Sequence, residues 1–183
     1  MDIIGQGRAA PSAGFEVPLE MLYACHGRVQ AQCELLQRLL EHLPTHGADT
    51  QALEAIERIR RYFDTAARDH HADEEQDLLP ALLEAMAGSD AVCIRDITRR
   101  VHEEHRQLER HWAALREALQ AIEQGSASEL DPSLARNFID AYRAHIAFEE
   151  AEVLPMAQRL LGDDQLDAVG RAMRLRRGIA DPH

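Results

Sequence analysis

HHADEEQDLLP at His70–Pro80 and HIAFEEAEVLP at His145–Pro155 decide how this chain reads. In each stretch a His is followed four residues later by the first Glu of a Glu-Glu pair, and a Leu-Pro closes the stretch. The matching positions all recur at an offset of 75 residues: His70 with His145, Glu74 with Glu149, Glu75 with Glu150, Leu79 with Leu154 and Pro80 with Pro155. Phe63 and Phe138, seven residues ahead of each His, keep that offset. Residues four apart share a face of an α-helix, so each stretch sets an imidazole beside a carboxylate. Two such pairs point to a two-metal site built between helices.

Outward from these stretches, apolar residues recur at helical spacing. Pro18 suits the first turn of a helix that continues to about Leu43, with Leu19, Leu22, Val29, Cys33, Leu36 and Leu40 on its stripe. The PTHGAD segment, Pro44 to Asp49, breaks the pattern. A second helix is expected from about Thr50 to Ala87, with Ile56, Ile59, Phe63, Ala67 and Leu78 on one side. Gly88 ends it, and Ser89 or Asp90 caps a third helix that runs to about Gln124 through Ile94, Val101, Leu108, Trp112, Leu115 and Leu119. GSASELDP, Gly125 to Pro132, is a loop. A fourth helix covers about Pro132 to Leu161, and a short fifth starts after Gly162 and ends near Arg177. Pro80 and Pro155 fall inside helical pattern, which predicts a kink or frayed turn just beyond the paired residues.

The expected fold is therefore all-α: an antiparallel up-down four-helix bundle with a short fifth C-terminal helix. It occupies residues 16–178, after a loose N-terminal arm at 1–15. Apolar residues make up 45% of the 183-residue chain and aromatics only 4%, which favours helices over a sheet. The net charge of −12 argues against nucleic acid and against an anionic membrane surface. Cys25, Cys33 and Cys93 form no CxxC, and an odd, sparse count fits a reducing compartment. With no basic-then-apolar leader and no apolar stretch long enough to span a bilayer, a cytoplasmic location is expected. The oligomeric state is not legible. The arginines Arg171, Arg174, Arg176 and Arg177 of the fifth helix read as a basic last turn that complements the helix dipole.

The repeat also makes a demand of the first and third helices. HGRVQAQCELL from His26 aligns with HRQLERHWAAL from His105 at an offset of 79 residues, and each His lies on its helix's apolar stripe. The candidate metal ligands are thus His26, His70, Glu74, His105, His145 and Glu149. Single stripe histidines are commonly satisfied core residues. Four of them with two carboxylates are hard to satisfy separately, because burying two unpaired carboxylates is costly and a dication would neutralise them. His71 and Glu75 are also four apart, but His71 corresponds to Ile146, so the repeat favours His70 and Glu74. His71, Glu75 and Glu150 then lie behind the ligands or in solvent. His102, three before His105 and matched to Tyr23, is either a seventh ligand or a hydrogen-bond partner of the site.

These residues resemble the hemerythrin-like HHE cation-binding family, over roughly Val17 to Leu161. The resemblance implies a four-helix bundle holding a non-haem di-iron centre, with the six residues above as ligands and Glu74 and Glu149 bridging. The chain departs from oxygen-carrying hemerythrins at two points. His102 and His105 are three apart where those proteins have a pair four apart. Glu149 follows its His by four residues where those have an Asp at five. Imidazole with carboxylate suits iron, and also zinc or manganese, and no thiolate biases the choice. No His has a Glu three residues before it, unlike the ferritin-type ligand motif.

The leading functional expectation is a protein that binds oxygen, nitric oxide or peroxide at two iron ions in an oxo- or carboxylate-bridged site, for storage, sensing or stress protection. An alternative is a di-iron enzyme for iron-sulfur cluster repair or for peroxide or nitric oxide consumption. A further alternative is a non-redox metal-binding or iron-storage module.

Overall fold

The computed structural model describes residues 14–85 and 91–180, and among them every regular element is helical. The order is α1 (Pro18–His46), α2 (Thr50–Asp64), α3 (Ala66–Asp73), a π-helical turn at Glu74–Leu78 and α4 (Leu79–Ala85). Then come α5 (Ala91–Glu123), α6 (Pro132–Phe148), a second π-helical turn at Glu149–Val153, α7 (Leu154–Leu160) and α8 (Asp163–Arg176). The expected end of the second helix at Ala87 and Gly88, the caps Ser89 and Asp90, and residues 1–13 of the expected arm lie outside the described residues. Phe15, at the end of that arm, is not loose: it packs against the core.

Polar side chains start two of the helices. Asp49 Oδ1 accepts from the Ala52 amide at 2.9 Å ahead of α2, and Asp131 Oδ1 accepts from the Ser133 amide at 2.8 Å ahead of α6. Glycine stops another: Gly47, at φ 67°, takes the chain out of α1 and donates its amide to the Leu43 carbonyl at 2.9 Å. The helix thus outlasts the expected stop at Pro44. That proline forfeits one backbone bond within the final turn, and the left-handed residue that ends a helix comes only at Gly47.

The second expected helix is interrupted. Thr65 (φ −129°, ψ −86°) leaves helical geometry, and its hydroxyl bonds the Arg61 carbonyl at 2.6 Å. A β-branched residue with a back-bonding hydroxyl is a weak point in a helix, but Thr is common enough in helices to give little warning. Asp64, at the break, accepts from Trp112 Nε1 and Arg116 Nε of α5, each at 3.0 Å, and so ties the end of α2 across to α5.

The two prolines mark a helix distortion where it is expected, and it takes the form of a wider turn. The distortion lies before each of them, in the five-residue π turns that begin at Glu74 and Glu149. A proline ring clashes with the carbonyl four residues back, and a wider turn relieves that clash. In the wider register the Leu79 amide bonds the Glu74 carbonyl, and the Leu154 amide bonds that of Glu149.

The core divides in two. One apolar cluster includes Val29, Leu36, Ile56, Phe63, Leu108, Leu115, Phe138 and Ile146. The other includes Leu22, Leu78, Leu82, Ile94, Val101, Val153, Leu154, Val169 and Met173. Between the two, each of the four long helical stretches carries a buried His, and the second and fourth also carry a buried Glu. The chain passes from the second cluster to the first along α1 and α5, and from the first to the second along α2–α4 and along α6–α7.

Phe63, Phe138 and Tyr142 form an aromatic knot next to that polar layer, with centroids 4.8 Å apart for Phe63 and Phe138 and 5.0 Å for Phe138 and Tyr142. Phe138 is fully buried. Phe138→Ala is expected to cost about 3–5 kcal/mol in chemical denaturation, against an unchanged midpoint if this knot does not support the fold.

Candidate metal centre

The four stripe histidines and both glutamates named from the sequence meet in the layer between the apolar clusters, and all six are buried. Their donor atoms fall into two groups, each within 4.8 Å: His26, His70, Glu74 and Glu149, and His105, His145, Glu74 and Glu149. Each glutamate belongs to both groups. Glu74 turns Oε1 toward His70 Nε2 (3.5 Å) and His26 Nε2 (3.9 Å), and Oε2 toward His105 Nε2 (3.3 Å). Glu149 turns Oε2 toward His26 Nε2 (3.1 Å) and Oε1 toward His145 Nε2 (3.3 Å) and His105 Nε2 (3.9 Å).

The donor chemistry fits metal ions. Among the described residues, none gives a hydrogen bond to any of the four buried carboxylate oxygens of Glu74 and Glu149, or to the buried His26 Nε2. Contacts at these distances are too long or too poorly aimed to satisfy them. Leaving two carboxylates so is costly, and cations between them would remove the cost. The Nε2 atoms of His105 and His145 face each other at 3.1 Å. Two nitrogens bound side by side to one metal at about 2.1 Å would be about 3 Å apart.

Behind the ring nitrogens stands a set of carboxylates. His26 Nδ1 meets Glu150 Oε1 at 3.0 Å, His105 Nδ1 meets Glu75 Oε1 at 2.7 Å, and His145 Nδ1 meets Glu104 Oε2 at 2.9 Å. Such contacts hold each ring with Nδ1 protonated and Nε2 turned inward. The second Glu of each Glu-Glu pair thus serves the histidine of a neighbouring helix. Nothing in the sequence singles out Glu104, although it precedes His105 on a helix whose stripe faces the site. His70 Nδ1 has no hydrogen-bond partner among the described residues. At the offset that aligns α1 with α5, the place of Glu104 is taken by Cys25, whose thiol meets Arg28 at 2.9 Å instead.

His102 stands apart from both donor groups and meets Glu75 Oε1 at 3.2 Å, the same oxygen that His105 uses. His71 is buried, stacks on His105 with centroids 3.9 Å apart and pairs its Nε2 with the Tyr142 hydroxyl at 3.3 Å. Its donors also come within 4.8 Å of those of His105 and His145. Beside it a surface cavity of about 970 Å³, walled by Phe63, Leu108, Trp112 and Tyr142, reaches His71 and Glu75.

Without metal, the layer carries trapped charge. Burial opposes the charged form of His26, but the Glu149 and Glu74 carboxylates outweigh it and hold the imidazole up at about 10. His105 is likewise up at about 10, with burial overcome by Glu74 and Glu75. Burial wins at His70, which falls to about 3, and at His71. Burial also opposes the charge on Glu74, yet the surrounding histidines hold its carboxyl well below the usual range, while burial and the charge of Glu74 push Glu149 up.

Among the described residues, no helix is long and apolar enough to cross a membrane. Residues 17–157 match the hemerythrin HHE cation binding domain. The chain is also 34% identical over 169 residues to an uncharacterised protein of Haemophilus influenzae, a match spanning 92% of this chain and 95% of that one.

Two consequences for pH follow. The stability that protonated His26 and His105 lend to the metal-free protein is complete below about 6.5 and is lost as pH rises through their folded value of about 10. At pH 7, moreover, a metal must expel those protons. Calorimetric titration of metal-free protein with a divalent ion, in buffers of different ionisation enthalpy, should show release of about two protons per chain. A binding heat independent of the buffer would contradict this electrostatic picture.

Proposed function

The chain belongs to the hemerythrin HHE cation-binding family, and from that premise we propose that it holds two iron ions in a carboxylate-bridged centre and binds a small oxidant or diatomic ligand there. One metal would be held by His26 and His70, the other by His105 and His145, with Glu74 and Glu149 shared between them. His102 and His71 stay outside this ligand set. The supporting observation is the splitting of each carboxylate, one oxygen toward either pair of imidazoles. The fold that carries it is read as an antiparallel up-down bundle spanning residues 16–178, since successive long stretches traverse the two apolar clusters in opposite order. A strongly acidic chain with three unpaired cysteines suits the cytoplasm.

Two irons in such a site would supply one-electron redox chemistry and an open coordination position toward oxygen, nitric oxide or peroxide. The residues of the chain do the rest. Glu150, Glu75 and Glu104 orient His26, His105 and His145 through Nδ1, and the apolar clusters on both sides keep bulk water away. The Tyr142 hydroxyl and His71, paired at 3.3 Å, can hold a proton beside His105. That pair favours the second reading, an enzyme that consumes peroxide or nitric oxide with electrons from outside. Zinc or manganese in place of iron would leave a binding module without oxygen chemistry.

Metal counting tests the assignment. After anaerobic ferrous loading, about two irons per chain are expected, with fewer in Glu74→Ala, Glu149→Ala and His70→Ala and an undiminished count in His71→Ala. Loss of metal from His71→Ala with His70→Ala intact would overturn the assignment. Exposure of the loaded protein to oxygen, nitric oxide or peroxide then separates reversible binding from turnover.

A further inference from the structure

The family match ends at residue 157, yet α8 beyond it reaches back to the metal layer. Its last turn delivers two guanidinium groups to Asp73, the fully buried residue immediately before Glu74. Arg177 grips the carboxylate with both arms, Nη2 to Oδ2 at 2.6 Å and Nη1 to Oδ1 at 3.1 Å, and also holds the Met173 carbonyl at 2.8 Å. Arg176 contacts Asp73 as well, and reaches Asp77 Oδ2 at 2.7 Å and Gln76 Oε1 at 3.2 Å. The two arginines therefore hold residues on both sides of Glu74.

Nor can α8 slide. Val169 and Met173 are buried in the second apolar cluster, and a Cβ at Gly170 would come within 2.2 Å of the Phe15 carbonyl oxygen. The helix is a fixed support, not a loose tail.

What it supports is a turn that needs support. Glu74 opens a π-helical turn, a rare geometry that local sequence does not maintain alone. The matching turn at Glu149 has its own brace of other chemistry. Phe148, which corresponds to Asp73 at the offset of 75, lies under the Arg100 guanidinium at 3.5 Å. Arg100 also binds Glu104 at 2.7 Å, and Glu104 orients His145. In both halves an arginine seizes the residue ahead of the shared glutamate.

We propose that Asp73, clamped by Arg176 and Arg177, is a positioning residue for Glu74, so that α8 sets how tightly the metal pair is held. The inference rests on the two-metal reading above. Its test is cobalt(II) titration of metal-free protein, read by affinity and by the visible ligand-field spectrum. In Arg176→Gln/Arg177→Gln, the weaker of the two bindings should fall by about tenfold or more, as when a ligand's outer partner is lost, and the spectrum should change. That variant leaves Asp73 buried without a cation. A triple variant that adds Asp73→Asn keeps the position neutral, and it should show the same loss with the helical circular dichroism of wild type. Arg174→Gln, which removes an arginine of the same helix that contacts Glu16 and not Asp73, should keep the wild-type affinity and spectrum. Wild-type affinity and spectrum in the triple variant, with only a lower denaturation midpoint, would overturn the proposal. Failure of the wild-type chain to take up two cobalt ions would instead sink the two-metal reading beneath it.

Discussion

Two buried carboxylates, Glu74 and Glu149, with no hydrogen-bond partner among the described residues, are the constraint around which this molecule is arranged. Neither could be tolerated in an ordinary helical core, where an uncompensated charge destabilises by more than any nearby apolar contact restores. Here they sit in a layer with four imidazoles, and the apolar core stops on one side of that layer and resumes on the other. The metal-free charge pattern follows from the same crowding. Two imidazoles are held protonated while a third is forced neutral, and the carboxylates are driven in opposite directions.

The 75-residue repeat gives this layer an approximate symmetry that extends beyond the ligands. Glu75 supports His105, and its counterpart Glu150 supports His26, so each half orients a ring in the other half. The symmetry then fails at several places besides His71 and Ile146. Cys25 replaces Glu104, which leaves His70 Nδ1 without a hydrogen-bond partner among the described residues while His145 is fixed. Asp73 is braced by ions, and Phe148 by a cation over its ring. His102 meets Glu75, whereas Tyr23, its counterpart, is exposed. The two donor groups are therefore chemically unequal: one has a looser histidine, the other a fully oriented pair.

Much of this was legible because the signal was periodic and duplicated. Helical spacing located the long helices. The offset separated His70 and Glu74 from the equally spaced His71 and Glu75, and alignment of the remaining stripes led to His26 and His105. What escaped was set by tertiary contact, not by pattern. Nothing in a single sequence pairs Asp73 with Arg176 and Arg177, a hundred residues away, and those arginines read as an ordinary basic helix end. Nothing in the sequence singles out Glu104, because its partner is on another helix. The break at Thr65 came from one hydroxyl and one backbone excursion. The prolines did announce a distortion, but the strain was taken up in the turn before each of them, on the glutamates themselves. For His102 the sequence leaves ligand and hydrogen-bond partner both open, and the contact the structure gives it is with Glu75 Oε1.

The central claim is that Glu74 and Glu149 are shared between two metals. X-ray absorption at the iron edge of the loaded protein addresses it without reference to any activity. The account predicts nitrogen and oxygen neighbours with imidazole scattering, and an iron–iron vector within about 4 Å. A spectrum that fits isolated iron with no metal–metal vector, at full loading, would contradict it.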